Sequence, residues 1–442
     1  MAGARPGAET RERWSRPGRD LALFVAGLAA LAFNLRAAIT GLPPVFPELS
    51  AALNLSPAAI AVLAATPVLC FGLFSGLAAP LSRGFGEERV LLAALLLLAG
   101  GLLLRGVAPE SMLFPGTVLA GGAIALMNVL LPSLVKRRRP DHAGVLIGAY
   151  LLTMSAGAVV GALIAVPVYQ AAAGSARAVA GWPVQLTLGL WALPAAAAAV
   201  AWLPQIRYRT KPDSPGLGLS LPDGPGPDRP GPDRPRPVAG GRGGGRLSMP
   251  RHALAWQVAG FMGLQSLTYY AAVSWLPTLF RDRGVSPVHA GDLLALMNLG
   301  NATTAMLLPV LAHRARDQRL LVGAAALASA VGLTGALLAP VGSAFVWTLL
   351  LGFGQGASLG LAIFFTLARA PDPVASASLS AFAQSVGYLI ATGGPLAVGF
   401  LHTATGGWDV PVLALLGATV VQLSAGVLAG RALTLPGAAP PL

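Results

Sequence analysis

The chain reads as long, nearly unbroken apolar runs separated by short polar breaks that carry most of the charge. Crossing a bilayer as a helix takes about 20 mostly apolar residues. Twelve runs reach that length, near 20–44, 58–80, 89–107, 112–135, 143–170, 181–203, 253–279, 289–312, 320–340, 344–368, 375–401 and 410–430. Proline and glycine occur inside them, as membrane helices tolerate. Residues 21–33 also fit a signal-peptide apolar core after a basic tail. The apolar character resumes past Arg36, however, so this stretch is read as the first span.

Composition agrees. Of 442 residues, 55% are hydrophobic and 11% charged, against about a quarter charged in soluble domains; the mean hydropathy is +0.68. An all-α polytopic membrane protein is expected, with the lipid bilayer as one partner. The single cysteine, Cys70, excludes a disulfide scaffold. A net charge of +13 would suit a nucleic-acid partner, but its placement argues otherwise. Twenty-five of the 30 Lys and Arg residues fall in the tails and alternate loops, including Lys136-Arg137-Arg138-Arg139. Arg105, Arg177, Arg281 and Arg283 fall on the other side, and Arg36 lies within the first span. This asymmetry predicts cytoplasmic N- and C-termini in a cell membrane and no nucleic-acid partner.

A Pro-, Gly- and Arg-rich stretch at 205–251, with GPDRP repeated in tandem, interrupts the series after six runs. The chain therefore divides into a tail (1–19), a six-helix half (20–204), a linker (205–251), a second six-helix half (252–431) and a tail (432–442). The halves echo each other at an offset of about 230: Pro57 and Pro287 open runs two and eight, and Pro140-Asp141 recurs as Pro371-Asp372. A parallel repeat of this kind belongs to two-half transporters. Their cavity is lined chiefly by spans one, four, seven and ten, with two, five, eight and eleven beside them.

Arg36 is the most informative residue. It lies 16 residues past Asp20, about 24 Å along a helix, in the middle-to-outer part of the bilayer. An intramembrane guanidinium costs ~2.5 kcal/mol or more and marks a polar cavity. All seventeen Asp and Glu residues map to tails, loops or helix ends. An arginine without a nearby acid suits a small anion held by forked hydrogen bonds. The candidate wall around it comprises Asn34, Thr40, Asn128, Gln265, Tyr269, Asn298, Asn301, Gln355, Gln384 and Tyr388, with Tyr270 beside Tyr269. No Walker loop, metal-ligand cluster or dinucleotide fingerprint is present, so neither cofactor nor metal is expected. Gly356-Ala-Ser358-Leu-Gly360 mimics a nucleophile motif, but without a preceding strand or a histidine at matching depth it reads as helix packing, and no enzyme is expected.

With Asn34-Leu-Arg36-Ala-Ala-Ile-Thr40-Gly-Leu-Pro-Pro in the first span, the sequence resembles the cyanate-permease and nitroimidazole-transporter branch of the major facilitator superfamily. Leu-Leu-Ala-Leu-Met-Asn298, Ala-Phe-Ala-Gln384-Ser-Val-Gly-Tyr388 and Leu-Pro-Ser-Leu-Val-Lys136 look like other segments of that branch, and the likeness spans nearly all of 20–430. Ala37 stands where the branch has proline. In the loop between spans two and three Arg83 takes the place of the usual aspartate, while Phe85, Gly86 and Arg89 are kept. Arg83, Arg89 and Arg319 are the gating-loop candidates. The resemblance implies the major facilitator fold and transport of a small anion such as cyanate or of small neutral compounds such as nitroimidazoles; with Arg36, the expectation is a secondary transporter of a small anion, acting as a monomer. The alternative is an efflux transporter of small neutral or aromatic, nitroimidazole-like compounds.

Overall fold

The computed structural model describes residues 17–175, 181–208, 249–315 and 317–436. Most of the 205–251 linker and the outer parts of both tails lie outside these. Among the described residues every regular element is helical. The first half holds α1 (Pro17–Thr40), α2 (Phe46–Leu53), α3 (Pro57–Phe74), α4 (Ala78–Phe85), α5 (Glu87–Val107), α6 (Pro109–Arg138), α7 (Ala143–Ala173), α8 (Trp182–Gly189) and α9 (Ala192–Trp202). The second holds α10 (Ala253–Asp282), α11 (Pro287–Arg314), α12 (Arg319–Leu338), α13 (Ala344–Ala368), α14 (Pro373–Thr405) and α15 (Asp409–Ala429). Eleven helical segments are long and apolar enough to cross a membrane. The twelfth, α10, is 30 residues long but is interrupted by Gln257, Gln265, Ser266 and Thr268.

Local sequence explains the breaks. Run one, expected to continue to residue 44, ends as an α-helix at Thr40, where Pro43 and Pro44 open a single 3-10 turn before α2. A proline cannot donate the bond that would extend the helix. Run six divides into α8 and α9: Pro194 lacks the amide and its ring would clash with the carbonyl of Leu190. Between α4 and α5 the chain turns at Gly86, whose φ of 87° is open to glycine at little cost.

The two halves meet through α3 against α14 and α7 against α11. The described ends of the chain gather at one face, here the terminal face, where Leu435 N–H donates to Arg369 O at 2.8 Å and Arg207 pairs with Asp20 at 2.8 Å. At the opposite, far face the halves close on each other. The Phe46 and Trp275 rings lie 6.1 Å apart, and Arg281 Nη1 donates to Glu48 Oε2 at 2.8 Å and to Pro44 O at 3.2 Å. On the terminal face Glu87 and Arg138 stand 231 residues before Gln318 and Arg369, but the two pairs of positions make different contacts. Glu87 accepts from Ser133 at 2.8 Å and faces Arg137 at 3.6 Å. Arg369 instead donates to Gln318 and to Ala429 O and Gly430 O.

Glycines set how closely α1 approaches α7. A Cβ on Gly157 would fall 2.2 Å from Phe33 O, and one on Gly161 2.4 Å from Ala37 O. The helices consequently touch backbone to backbone, driven by van der Waals contact rather than by hydrophobic transfer. Thr40 Oγ1 donates across this seam to Ala158 O at 2.9 Å. Gly157→Ala should force α1 outward and lower the thermal midpoint of purified protein by several degrees; an unchanged midpoint would show that the seam yields. The Gly356–Gly360 motif works the same way. A Cβ on Gly356 would sit 2.0 Å from Asn301 O, and Ser358, 0% exposed, accepts from Gln422 at 3.0 Å.

Candidate functional site

α1 presents Arg36 one turn before its end, at the seam between the halves. Its guanidinium carbon lies 5.4 Å from the ring centres of both Tyr269 and Tyr270 on α10. Those rings meet nearly edge to face, 5.2 Å apart. Phe71 of α3 continues the cluster, 6.3 Å from Tyr270 and 5.5 Å from Tyr388 of α14. Tyr150 and Tyr388 lie close enough to interact with the Arg36 charge as well. The site thus draws on both halves, α1, α3 and α7 from one and α10 and α14 from the other.

Arg36 is half-buried as a residue, but its Nη1 is sealed from solvent and has no hydrogen-bond partner among the described residues. The ion pairs among the described residues all lie elsewhere. Ring faces offer the charge ~0.5–2 kcal/mol each, short of the desolvation cost of a buried ion. A planar fork with a vacant donor between aromatic rings is equipped to hold a small planar anion.

The other sequence candidates divide. Tyr269 donates to Asn298 Oδ1 at 2.9 Å, and the Asn298 amide is oriented by Leu294 O at 2.9 Å. These two stand with Arg36, as does Tyr388. Asn34 turns away: its amide donates to Ala30 O at 2.8 Å and to Pro194 O at 3.1 Å, tying α1 to α9. Thr40, 0% exposed, serves the α7 seam. Gln265 donates to Ser266 at 2.6 Å, Gln355 exchanges bonds with Thr268 at 3.1 and 3.3 Å, and Gln384 donates to Ser380 at 2.9 Å. Asn128 and Asn301 are half-buried, with side chains that bond to none of the described residues. Arg83 and Arg89 are exposed on the terminal face; Arg319 faces Asp317 at 3.5 Å. Sequence reasoning left out Tyr150 and Phe71. A phenol inside an otherwise apolar span could have pointed to Tyr150, whereas nothing separates Phe71 from the other 14 phenylalanines.

Bilayer-length helices in two halves that meet around a half-buried arginine have the architecture of a two-half transporter. Residues 23–395 match the family model described as Major Facilitator Superfamily, and the chain belongs to that family. It is 37% identical over 417 residues to the 2-nitroimidazole transporter of Escherichia coli strain K12, covering 94% of this chain and 98% of that one. With the cyanate transport protein CynX of the same organism it shares 28% identity, covering 90% and 95%. Among solved structures, a D-xylose–proton symporter superposes with a TM-score of 0.67 at 16% identity, covering 92% of this chain and 95% of that one. That likeness concerns the fold alone.

Proposed function

We propose that this chain is a secondary active transporter of a small anion, with cyanate as the type case, and that Arg36 anchors the solute. The observation that carries the reading is the sealed Arg36 Nη1 at the junction of the halves, which no described residue bonds. Tyr269, held by Asn298, and Tyr388 form the wall with Tyr270 and Phe71. Asn34, Thr40, Gln265 and Gln355 hold the scaffold. The halves, 20–204 and 252–431, rock about the α3–α14 and α7–α11 contacts with 205–251 as their linker. In this reading the terminal face, with its basic residues, is the cytoplasmic one, and the far face points outward from a cell membrane. Arg83, Arg89 and Arg319 belong to the gate on the terminal face.

A second reading is supported by the tyrosines together with the 37% identical relative: a planar nitroaromatic would stack on the rings and place its nitro oxygens on Arg36. Counterflow of labelled cyanate in proteoliposomes, with 2-nitroimidazole as competitor, decides between them. Saturable cyanate exchange is expected. Exchange of 2-nitroimidazole without cyanate would favour the second reading, and exchange of neither would overturn both.

A further inference from the structure

Arg105 stands in the last turn of α5, at the end of the third apolar run, on the side with few basic residues. The helix continues to Val107, so the arginine is 3% exposed. Among the described residues its Nε has no hydrogen-bond partner, and none of the ion pairs there includes it. Arg283, on the same face of the second half, shows what an ordinary helix-capping arginine does there. It donates to Ala336 O and, at 2.5 Å, to Ala339 O, carbonyls at the end of α12. Arg105 has no such carbonyls.

What Arg105 has instead is a cavity of about 30 Å³, room for about two water-sized particles. Ile39 of α1, Leu63 and Pro67 of α3, Thr117 of α6, and Tyr270 and Ser274 of α10 line it. The Thr117 hydroxyl donates to Leu113 O at 2.6 Å. Ser274, 4% exposed, makes no side-chain bond with a described residue, which leaves its hydroxyl free to donate. Tyr270 separates this cavity from Arg36, whose charge its ring also covers.

A buried cation with no counter-charge is costly, and water alone leaves that charge uncompensated. We propose that Arg105 and this cavity bind one halide-sized monovalent inorganic anion, distinct from the solute at Arg36. Because the walls come from both halves, the anion stabilises the arrangement closed at the far face, and opening that face dismantles its site. The inference stands apart from which solute Arg36 carries.

Thermal unfolding of the purified full-length protein tests it, with sodium chloride replacing sodium gluconate at constant ionic strength. A ligand that binds only the folded form raises the midpoint in a saturable way. The wild type should show a rise of a few degrees. Arg105→Met, apolar and of similar length, should lose it. Ala64→Leu, which fills the cavity from α3 and leaves the arginine in place, should lose it too and decides the matter where Arg105→Met does not fold. Arg36→Gln should keep the rise. No saturable chloride effect in the wild type, one that survives Ala64→Leu or Arg105→Met, or one abolished by Arg36→Gln would each overturn the proposal.

Discussion

Arg36→Gln should abolish solute exchange in proteoliposomes while leaving the thermal midpoint of the protein unchanged or raised. The opposite signs follow from one fact, an intramembrane guanidinium that is in none of the ion pairs among the described residues. Arg36 Nη1 is sealed from water and bonded to none of the described residues, so removing the charge relieves a cost to folding. With an anion bound, the same group supplies charge-assisted hydrogen bonds of ~1.5–3 kcal/mol each. Losing two of them weakens apparent affinity by roughly a hundredfold or more. Arg36→Lys should be nearly as impaired, since an ammonium retains the charge but not the planar fork. The paired readout is exchange rate and unfolding midpoint of the same preparation. Undiminished exchange in Arg36→Gln would remove the anchor role. A large drop in midpoint would mean that the arginine is chiefly structural.

Glu48→Gln should release the far face. Glu48 is on α2 and Arg281 on α10, so their 2.8 Å contact ties one half to the other. Both side chains are less than a fifth exposed, so the pair is screened less than a surface ion pair. A neutral amide leaves Arg281 with Pro44 O and a weakened bond at position 48. A loss of ~1–2 kcal/mol moves the balance between conformations about five- to thirtyfold toward the open far face. Spin labels at Ala52 and Ala404, exposed on opposite halves of that face, should report a new long-distance population. The exchanged pair Glu48→Arg with Arg281→Glu should restore the short one. Identical distance distributions in wild type and Glu48→Gln would rule out the clasp.

Most of the fold was legible because hydropathy acts over whole spans. A run of twenty apolar residues must be helical in lipid, and a local error at Pro43 or Pro194 shifts a boundary without changing the architecture. Arg36 was legible because a charge in an apolar run has few places to go. Side-chain direction was not. Asn34 lies two residues from Arg36, about 200° around the helix, and its amide meets Pro194 O of α9, a neighbour that no local pattern names. Gln265 and Gln355 are intramembrane polar residues like Asn298, yet each finds a partner in an adjacent serine or a threonine on a packed helix. Tyr270 reaches Arg36 although it is next in sequence to Tyr269, because two long rings can fan around one guanidinium. Arg105 falls inside the expected run 89–107 and the helix ends where that run does; its burial depends on the helices packed around it, which hydropathy does not show.

The anchoring of Leu435 has a practical consequence for anyone who attaches something to this protein. Leu435 is 2% exposed, and its amide is held by Arg369 O at the junction of α13 with α12 and α15. The segment after α15 is therefore a fitted part of the second half. A fluorescent reporter or purification handle joined before residue 436 would pull this plug from its socket. The same handle joined after it would leave the corner intact, so the two fusion points should give folded protein in very different yields.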